Sequence, residues 1–194
     1  MKHIKKQEDT LRRPAIMVDI ETLDTSVTAA IVSIAAIVFD VHGQSTREDL
    51  LKDHFYTNIS IVSNQKFGRT MSADTIEWWF KQSQEAQRAL YSDPILPFNT
   101  ALIKYRQWLE AQTADRIYAC DPDFDCNILA HGLESIKDRD PFQYHGRRSV
   151  RTTIEFAYPD EPMPNVEMGT AHNALDDVVK QALQMQHCWN KIHG

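Results

Sequence analysis

Pro14-Ala15-Ile16-Met17-Val18-Asp19-Ile20-Glu21 is an apolar run that ends in acid. Ala15 to Val18 offer no polar face, the pattern of a strand covered on both sides. Side chains alternate along a strand, so Asp19 and Glu21, two apart, point the same way and share one site. Two like charges at a strand end repel and are costly to desolvate unless a cation joins them, which suits a divalent metal with hard oxygen ligands. Asp-x-Glu is also common on solvated turns, so the tripeptide needs partners from elsewhere in the chain.

The neighbouring segments place that strand in a sheet. Residues 30–40, from Ala30 to Asp40, are rich in β-branched residues and read as a second buried strand. His42-Gly43-Gln44 is a turn signal, and a weaker third strand is expected over about 53–60, giving an antiparallel meander. The period then changes. Ser72 is a plausible N-cap for a helix through Ile76, Trp79 and Phe80, and Phe98, Leu102, Tyr105, Trp108 and Leu109 mark another helix. Arg116 to Ala119 is a short strand candidate, Phe124 to Leu133 a helix, and 138–144 a polar loop. Leu175, Val178, Ala182, Met185 and Trp189 predict a last helix from about Ala174 to Asn190. Strands first, then alternating helix and strand, indicate an α/β fold with helices packed on a mixed sheet. A single domain over 14–194 is expected, preceded by a basic tail at 1–13 that carries Lys2, Lys5, Lys6, Arg12 and Arg13.

Composition narrows the class. With 194 residues, 42% hydrophobic and 25% charged, and only 6 Gly and 8 Pro, the chain is neither collagen-like nor disordered. The balance of 27 acidic against 21 basic side chains leaves a net charge of −6, which argues against nucleic-acid binding through a whole-surface basic field. Cys120, Cys126 and Cys188 form no CxxC pair, so neither a disulfide framework nor a zinc knuckle is suggested, and a reducing cytoplasm fits best. Asp19 and Glu21 interrupt the first apolar run too early for a signal peptide, and no stretch reaches the roughly 18 apolar residues of a membrane span.

Two further acidic groups stand out. Asp121-Pro122-Asp123-Phe124-Asp125 follows a short strand and opens a helix, where Asp121 or Asp123 can cap the N-terminus. It is not an EF-hand: Cys126 stands where that loop needs Gly, and Gly132 where it needs Glu. Phe124 can anchor in the core and fix the direction of Asp125. In His172-Asn173-Ala174-Leu175-Asp176-Asp177, Asp177 falls in a helix's first turn, and His172 precedes the helix.

Asp19, Glu21, Asp125, Asp177 and His172, in this order and in these elements, resemble the three motifs of the DEDDh branch of the proofreading-type 3′–5′ exonuclease superfamily. Met17 to Leu23, Thr75 to Ser83, Arg148 to Thr152 and His172 to Asp177 together are similar to the phage-type exonuclease A and exonuclease VIII-like group, also described as an exoribonuclease-like domain family. The resemblance implies an RNase H-like five-stranded mixed sheet, three antiparallel strands followed by parallel ones, flanked by helices. It implies two divalent cations, Mg²⁺ or Mn²⁺, with Asp19 bridging, Glu21 and Asp177 on the nucleophile side, Asp125 on the second ion, and His172 as the general base. Three departures affect the substrate side. Asp24 replaces a Gly after the first motif, Asp121-Pro122-Asp123 replaces a Gly-Asn type loop, and Arg148-Ser149 replaces Arg-Asp.

The implied activity is 3′–5′ exonucleolysis of single-stranded DNA to nucleoside 5′-monophosphates, with 3′–5′ exoribonucleolysis of overhangs or short oligoribonucleotides as the alternative. A non-catalytic nucleic-acid-binding module fits less well, because a set of buried acids serves no purpose there. By resemblance, the Thr22 backbone contacts the terminal sugar, Leu23 wedges against the last base, and a homodimer is expected. Trp78 and Trp79 are adjacent on a helix and point about 100° apart, so either one is core while the other lines a groove and stacks a base, or both pack against Phe80 and the sheet. Arg147, Arg148 and Arg151 form the densest basic group outside the tail, with Arg148 and Arg151 the phosphate candidates.

Overall fold

The computed structural model describes residues 14–142, 144–166 and 169–194; the basic tail expected at 1–13 lies outside them. In chain order the elements are β1 (Pro14–Thr22), β2 (Ile31–Asp40), α1 (Arg47–Leu50), β3 (His54–Ile59), α2 (Ile61–Lys66), α3 (Ala73–Phe80), α4 (Gln84–Ala89), β4 (Ile95–Leu96), α5 (Phe98–Glu110), β5 (Ile117–Ala119), α6 (Asp125–Ser135), β6 (Arg147–Ser149), α7 (Val150–Ala157) and α8 (Ala174–His193). Many of the helix starts are written in the sequence. Thr46, Ser60, Ser72, Ser83, Ser149 and Asn173 each accept, through the side chain, a backbone N–H of the helix they open.

The strands form one mixed sheet in the order β4-β3-β2-β1-β5-β6. β1, β2 and β3 are the expected antiparallel meander, while β5 pairs parallel to β1 and β6 parallel to β5. The sheet has six strands rather than five. β4 and β6 have two and three residues, too few for an alternation pattern to show. They are held instead by backbone bonds, as where Ser60 N–H donates to the Leu96 carbonyl at 3.0 Å.

Alternation on β1 sorts the interior into two layers. Ile16, Val18 and Ile20 pack with Phe98, Leu102, Leu129 and Leu133 of α5 and α6, and Ala15 and Met17 pack with Val178, Ala182 and Met185 of α8. Asp19 and Glu21 therefore face the α8 side, opposite Ala35 and Ser33 of β2. The β1–β2 register slips between Glu21 and Thr22, which ends regular pairing beside the acids. A smaller apolar cluster of Leu23, Ala30, Val32, Trp79, Ala86 and Leu90 closes the same end of the sheet under α3 and α4.

Candidate active site

Asp125 begins α6 and is 4% exposed, and its Oδ1 accepts the Ile20 backbone N–H at 3.3 Å. That bond brings the second acidic motif against the first. The helix start is set by backbone rather than by a capping carboxylate: the Asp121 carbonyl accepts from Phe124 N–H at 2.9 Å and Asp125 N–H at 3.1 Å. The N-cap position is Phe124, without a side-chain cap, so neither Asp121 nor Asp123 has the capping role. Asp121 Oδ1 instead accepts from Asp123 N–H at 3.3 Å, and Phe124 packs against the core as expected.

At the mouth of α8 two adjacent acids part. Asp176 pairs with Arg47 and accepts the Thr170 N–H at 2.7 Å, which removes it from the cleft. Asp177 faces the cleft, and its Oδ2 accepts the His172 backbone N–H at 3.0 Å. His172 has φ of 63°, a left-handed conformation sustained by that bond. Gly169 has φ of 49°, and a Cβ there would lie 2.0 Å from Asp176 Oδ2. Glycine is thus the residue that lets the loop close on Asp176 and deliver His172.

Ligand atoms of Glu21, His172 and Asp177 lie within 4.8 Å of one another. Asp19, Glu21, Asp125, His172 and Asp177 all line one cleft of about 590 Å³. Burial and mutual repulsion raise the acids above their ordinary values. Asp19 is pushed well above its ordinary value by burial and by Asp125, Glu21 and Asp177, against a hydrogen bond from Gln181 that lowers it. Burial, then Asp177 and Asp125, push Glu21 up to about 8; burial pushes Asp125 up to about 7 and raises Asp177 as well. Four oxygen-donor groups that the protein's own cations leave under-compensated, with one imidazole beside them, suit hard divalent cations such as Mg²⁺ or Mn²⁺.

Gln181, absent from the sequence reading, is 7% exposed, and its Nε2 donates to Asp19 Oδ1 at 2.9 Å. Its Oε1 has no hydrogen-bond partner among the described residues. The signal was available: Gln181 stands four residues after Asp177 and therefore on the same stripe of α8.

An adjoining cleft of about 540 Å³ shares Ile20, Glu21 and Phe124 with the first and is lined by Thr22, Trp78 and Trp79. The two tryptophans divide as the helix geometry allows. Trp79 is 4% exposed and its Nε1 donates to the Thr22 carbonyl at 2.9 Å, whereas Trp78 is 40% exposed with its ring edge-on to His172 at 4.7 Å. Leu23, expected to wedge against the last base, does not line this cleft: it is buried with Trp79 and Leu90, because the chain turns in after Thr22 and Leu23 N–H donates to the Ala30 carbonyl. Asp24 is taken up by its own loop: the Thr70 hydroxyl first, then Thr25 and Ser26, which donate to it, hold its carboxyl below its ordinary value.

The arginine group does not stay together. Arg147 points to one face of β6 and pairs with Asp140 and Asn127. Arg148 points to the other and lines a separate cavity, so it does not share the cleft with Arg151. Arg151, in the first turn of α7, does line the cleft, beside Cys120.

A family model described as the 3′–5′ exoribonuclease Rv2179c-like domain matches residues 14–189. An exodeoxyribonuclease of Enterobacteria phage T4 is 25% identical over 205 residues, covering 92% of this chain and 90% of its own. Among solved structures, cell-death related nuclease 4 is similar with a TM-score of 0.60 at 16% identity, over 92% of this chain and 64% of its own. The zinc-bound complex of E. coli exonuclease I with single-stranded DNA is similar with a TM-score of 0.63 at 12% identity, over 90% of this chain and 40% of its own. These two structural likenesses concern the fold, and the chain spans less than two thirds of either protein.

Proposed function

Because the chain belongs to the 3′–5′ exoribonuclease Rv2179c-like domain family, we propose that it is a metal-dependent 3′–5′ exonuclease that releases nucleoside 5′-monophosphates from the 3′ ends of single-stranded DNA. The observation that carries the reading is the meeting of Asp19, Glu21, Asp125 and Asp177, from β1, α6 and α8, in one cleft with His172. These four carboxylates would hold two divalent cations. When bound, the cations supply Lewis-acid stabilisation of the charge that develops on the attacked phosphate and the leaving 3′ oxygen.

The remaining work falls to the chain's own groups. His172, held by its N–H to Asp177 and flanked by Trp78, takes the proton of the attacking water. Gln181, by donating to Oδ1, favours the ionised form of Asp19 that a cation needs. Thr22 and Trp78 receive the terminal nucleotide in the adjoining cleft, with the exposed indole as a stacking surface. Arg151, which lines the same cleft as the acids, meets a phosphate there. A cytoplasmic setting fits the three free cysteines, and among the described residues no helix is long and apolar enough to cross a membrane.

The choice of DNA is supported by the phage exodeoxyribonuclease; a second reading, hydrolysis of RNA 3′ ends, is favoured by the family's description. One gel tests both. Single-stranded and duplex DNA and single-stranded RNA, labelled at the 5′ end, are incubated with Mn²⁺ or EDTA. A ladder that shortens from the 3′ end, fastest on single-stranded DNA and lost with EDTA or in Asp19→Ala, is expected. Wild-type cleavage by Asp19→Ala would sink the site assignment, and faster loss of RNA would select the second reading.

A further inference from the structure

A cavity of about 380 Å³ lies at the far end of α8 from the catalytic cleft, against β5 and β6. Its wall brings together Arg116, Arg148, His42 and His193 around Trp189. The two places share no lining residue, and Asp177 and Trp189 lie twelve residues apart on α8, about 18 Å at 1.5 Å per residue. We propose that this cavity binds a phosphorylated anion of mononucleotide size.

Alternation on β6 makes the site cationic. Arg148 pairs with Tyr118 in register, and both face α8, while Arg147 on the opposite face is neutralised by Asp140. The Arg148 guanidinium donates to the carbonyls of His145 at 2.6 Å and Arg147 at 2.8 Å. Those bonds orient it without cancelling its charge, and among the described residues no carboxylate pairs with it. Arg116 approaches Asp115 at 3.5 Å, an acid whose side chain is 77% exposed and screened by water. Two guanidiniums gathered in one concavity repel unless an anion joins them, and their planar forks suit phosphate oxygens.

The imidazoles are fixed rather than free to swing. His42 stacks on Trp189 at 3.8 Å and 22°, and His193 lies against the same indole at 3.9 Å and 37°. With two imidazoles packed on it the indole is largely covered, which leaves the charged and imidazole groups to do the recognising. Their immobilisation lowers the entropy lost on binding. The volume lies within the range of small-molecule sites, and Met185 and Val41 give it an apolar lining.

The identification of the anion as a nucleotide rests on the proposed function, since a nucleoside 5′-monophosphate is the product that reaction releases. The test is calorimetric titration of the full chain in EDTA at low salt, where the catalytic cleft lacks the cations that would hold a phosphate there, and binding that survives there is assigned by the arginine variants. The probes are a nucleoside 5′-monophosphate, inorganic phosphate and a short single-stranded oligonucleotide. The mononucleotide is expected to bind wild type and Asp19→Ala alike and to bind Arg116→Glu or Arg148→Ala at least about tenfold more weakly, the loss of one charge-assisted contact. Arg116→Glu should keep the melting temperature and the cleavage ladder of wild type. No mononucleotide binding, binding unchanged in both variants, phosphate binding as tightly as the mononucleotide, or binding of the oligonucleotide alone would each overturn the proposal. A chain that binds the mononucleotide through these arginines yet yields no ladder would overturn the proposed function instead.

Discussion

Trp78 and Trp79 are identical in chemistry and opposite in consequence. Trp79 is core: Trp79→Ala removes a buried indole and its bond to the Thr22 carbonyl, and is expected to cost about 3–5 kcal/mol, read as a clear fall in melting temperature. Trp78→Ala should leave the melting temperature nearly unchanged and weaken single-strand binding by about 1–3 kcal/mol, the worth of one stacked base. If the two melting curves shifted equally, the division would be wrong. Gln181 gives a second residue-scale prediction. Gln181→Leu removes the donor that lowers Asp19, so Asp19 holds its proton to higher pH. Mn²⁺ affinity at neutral pH, measured by calorimetry, is expected to fall about 10- to 100-fold, as for other groups that orient a metal ligand, and to recover as pH rises. Affinity equal to wild type across pH would remove Gln181 from the site.

At the scale of elements, the entrance to α8 is the part under most constraint. The helix start was readable from Asn173 and the apolar stripe, but which of Asp176 and Asp177 faces the cleft depends on Arg47, 129 residues away. Gly169→Ala tests the arrangement. Positive φ and a Cβ 2.0 Å from Asp176 force the loop to move, which costs about 1–3 kcal/mol. Because His172 belongs to that loop, cleavage should fall more than stability does, as seen by comparing initial rates with the melting curve. Retained rates would show that His172 is placed independently of Gly169. β6 teaches the complementary lesson. Arg147 and Arg148 read as one basic group in the chain, and strand alternation sends them to opposite faces.

For the whole molecule, the acids of the cleft tie stability to pH and to metal. Each raised carboxyl binds its proton more tightly in the folded state than in the unfolded one. Their contribution is therefore complete below the ordinary values of 3.8 and 4.5, and it is lost as pH rises through about 7 for Asp125 and about 8 for Glu21. Without metal, the melting temperature should fall between pH 5 and pH 8. Cations that need the ionised carboxylates reverse that slope, so Mn²⁺ should raise the melting temperature more at pH 8 than at pH 5.5. A flat profile in EDTA, or an equal Mn²⁺ shift in Asp19→Asn, would contradict this. The net charge of −6 acquires a location in the same way. Five acids line the cleft, four of them the proposed ligands, and two divalent cations would add about +4 there, so the surface average is a poor guide to what the site attracts.

Local pattern was enough for β1, β2, β3, α5 and α8, because long apolar periods and side-chain caps act within a few residues. The motif acids were legible for the same reason: each sits at the start or end of an element that its own neighbours specify. The two-residue β4 and three-residue β6, the burial of Leu23, the part played by Gln181 and the parting of the three arginines were not. Each depends on a partner far along the chain, such as Leu96 for Ser60, Ala30 and Trp79 for Leu23, Asp19 for Gln181, and Asp140 for Arg147. A side chain's chemical class is a property of one position, but the face it turns to and the charge it meets are set by packing between segments that sequence order keeps apart.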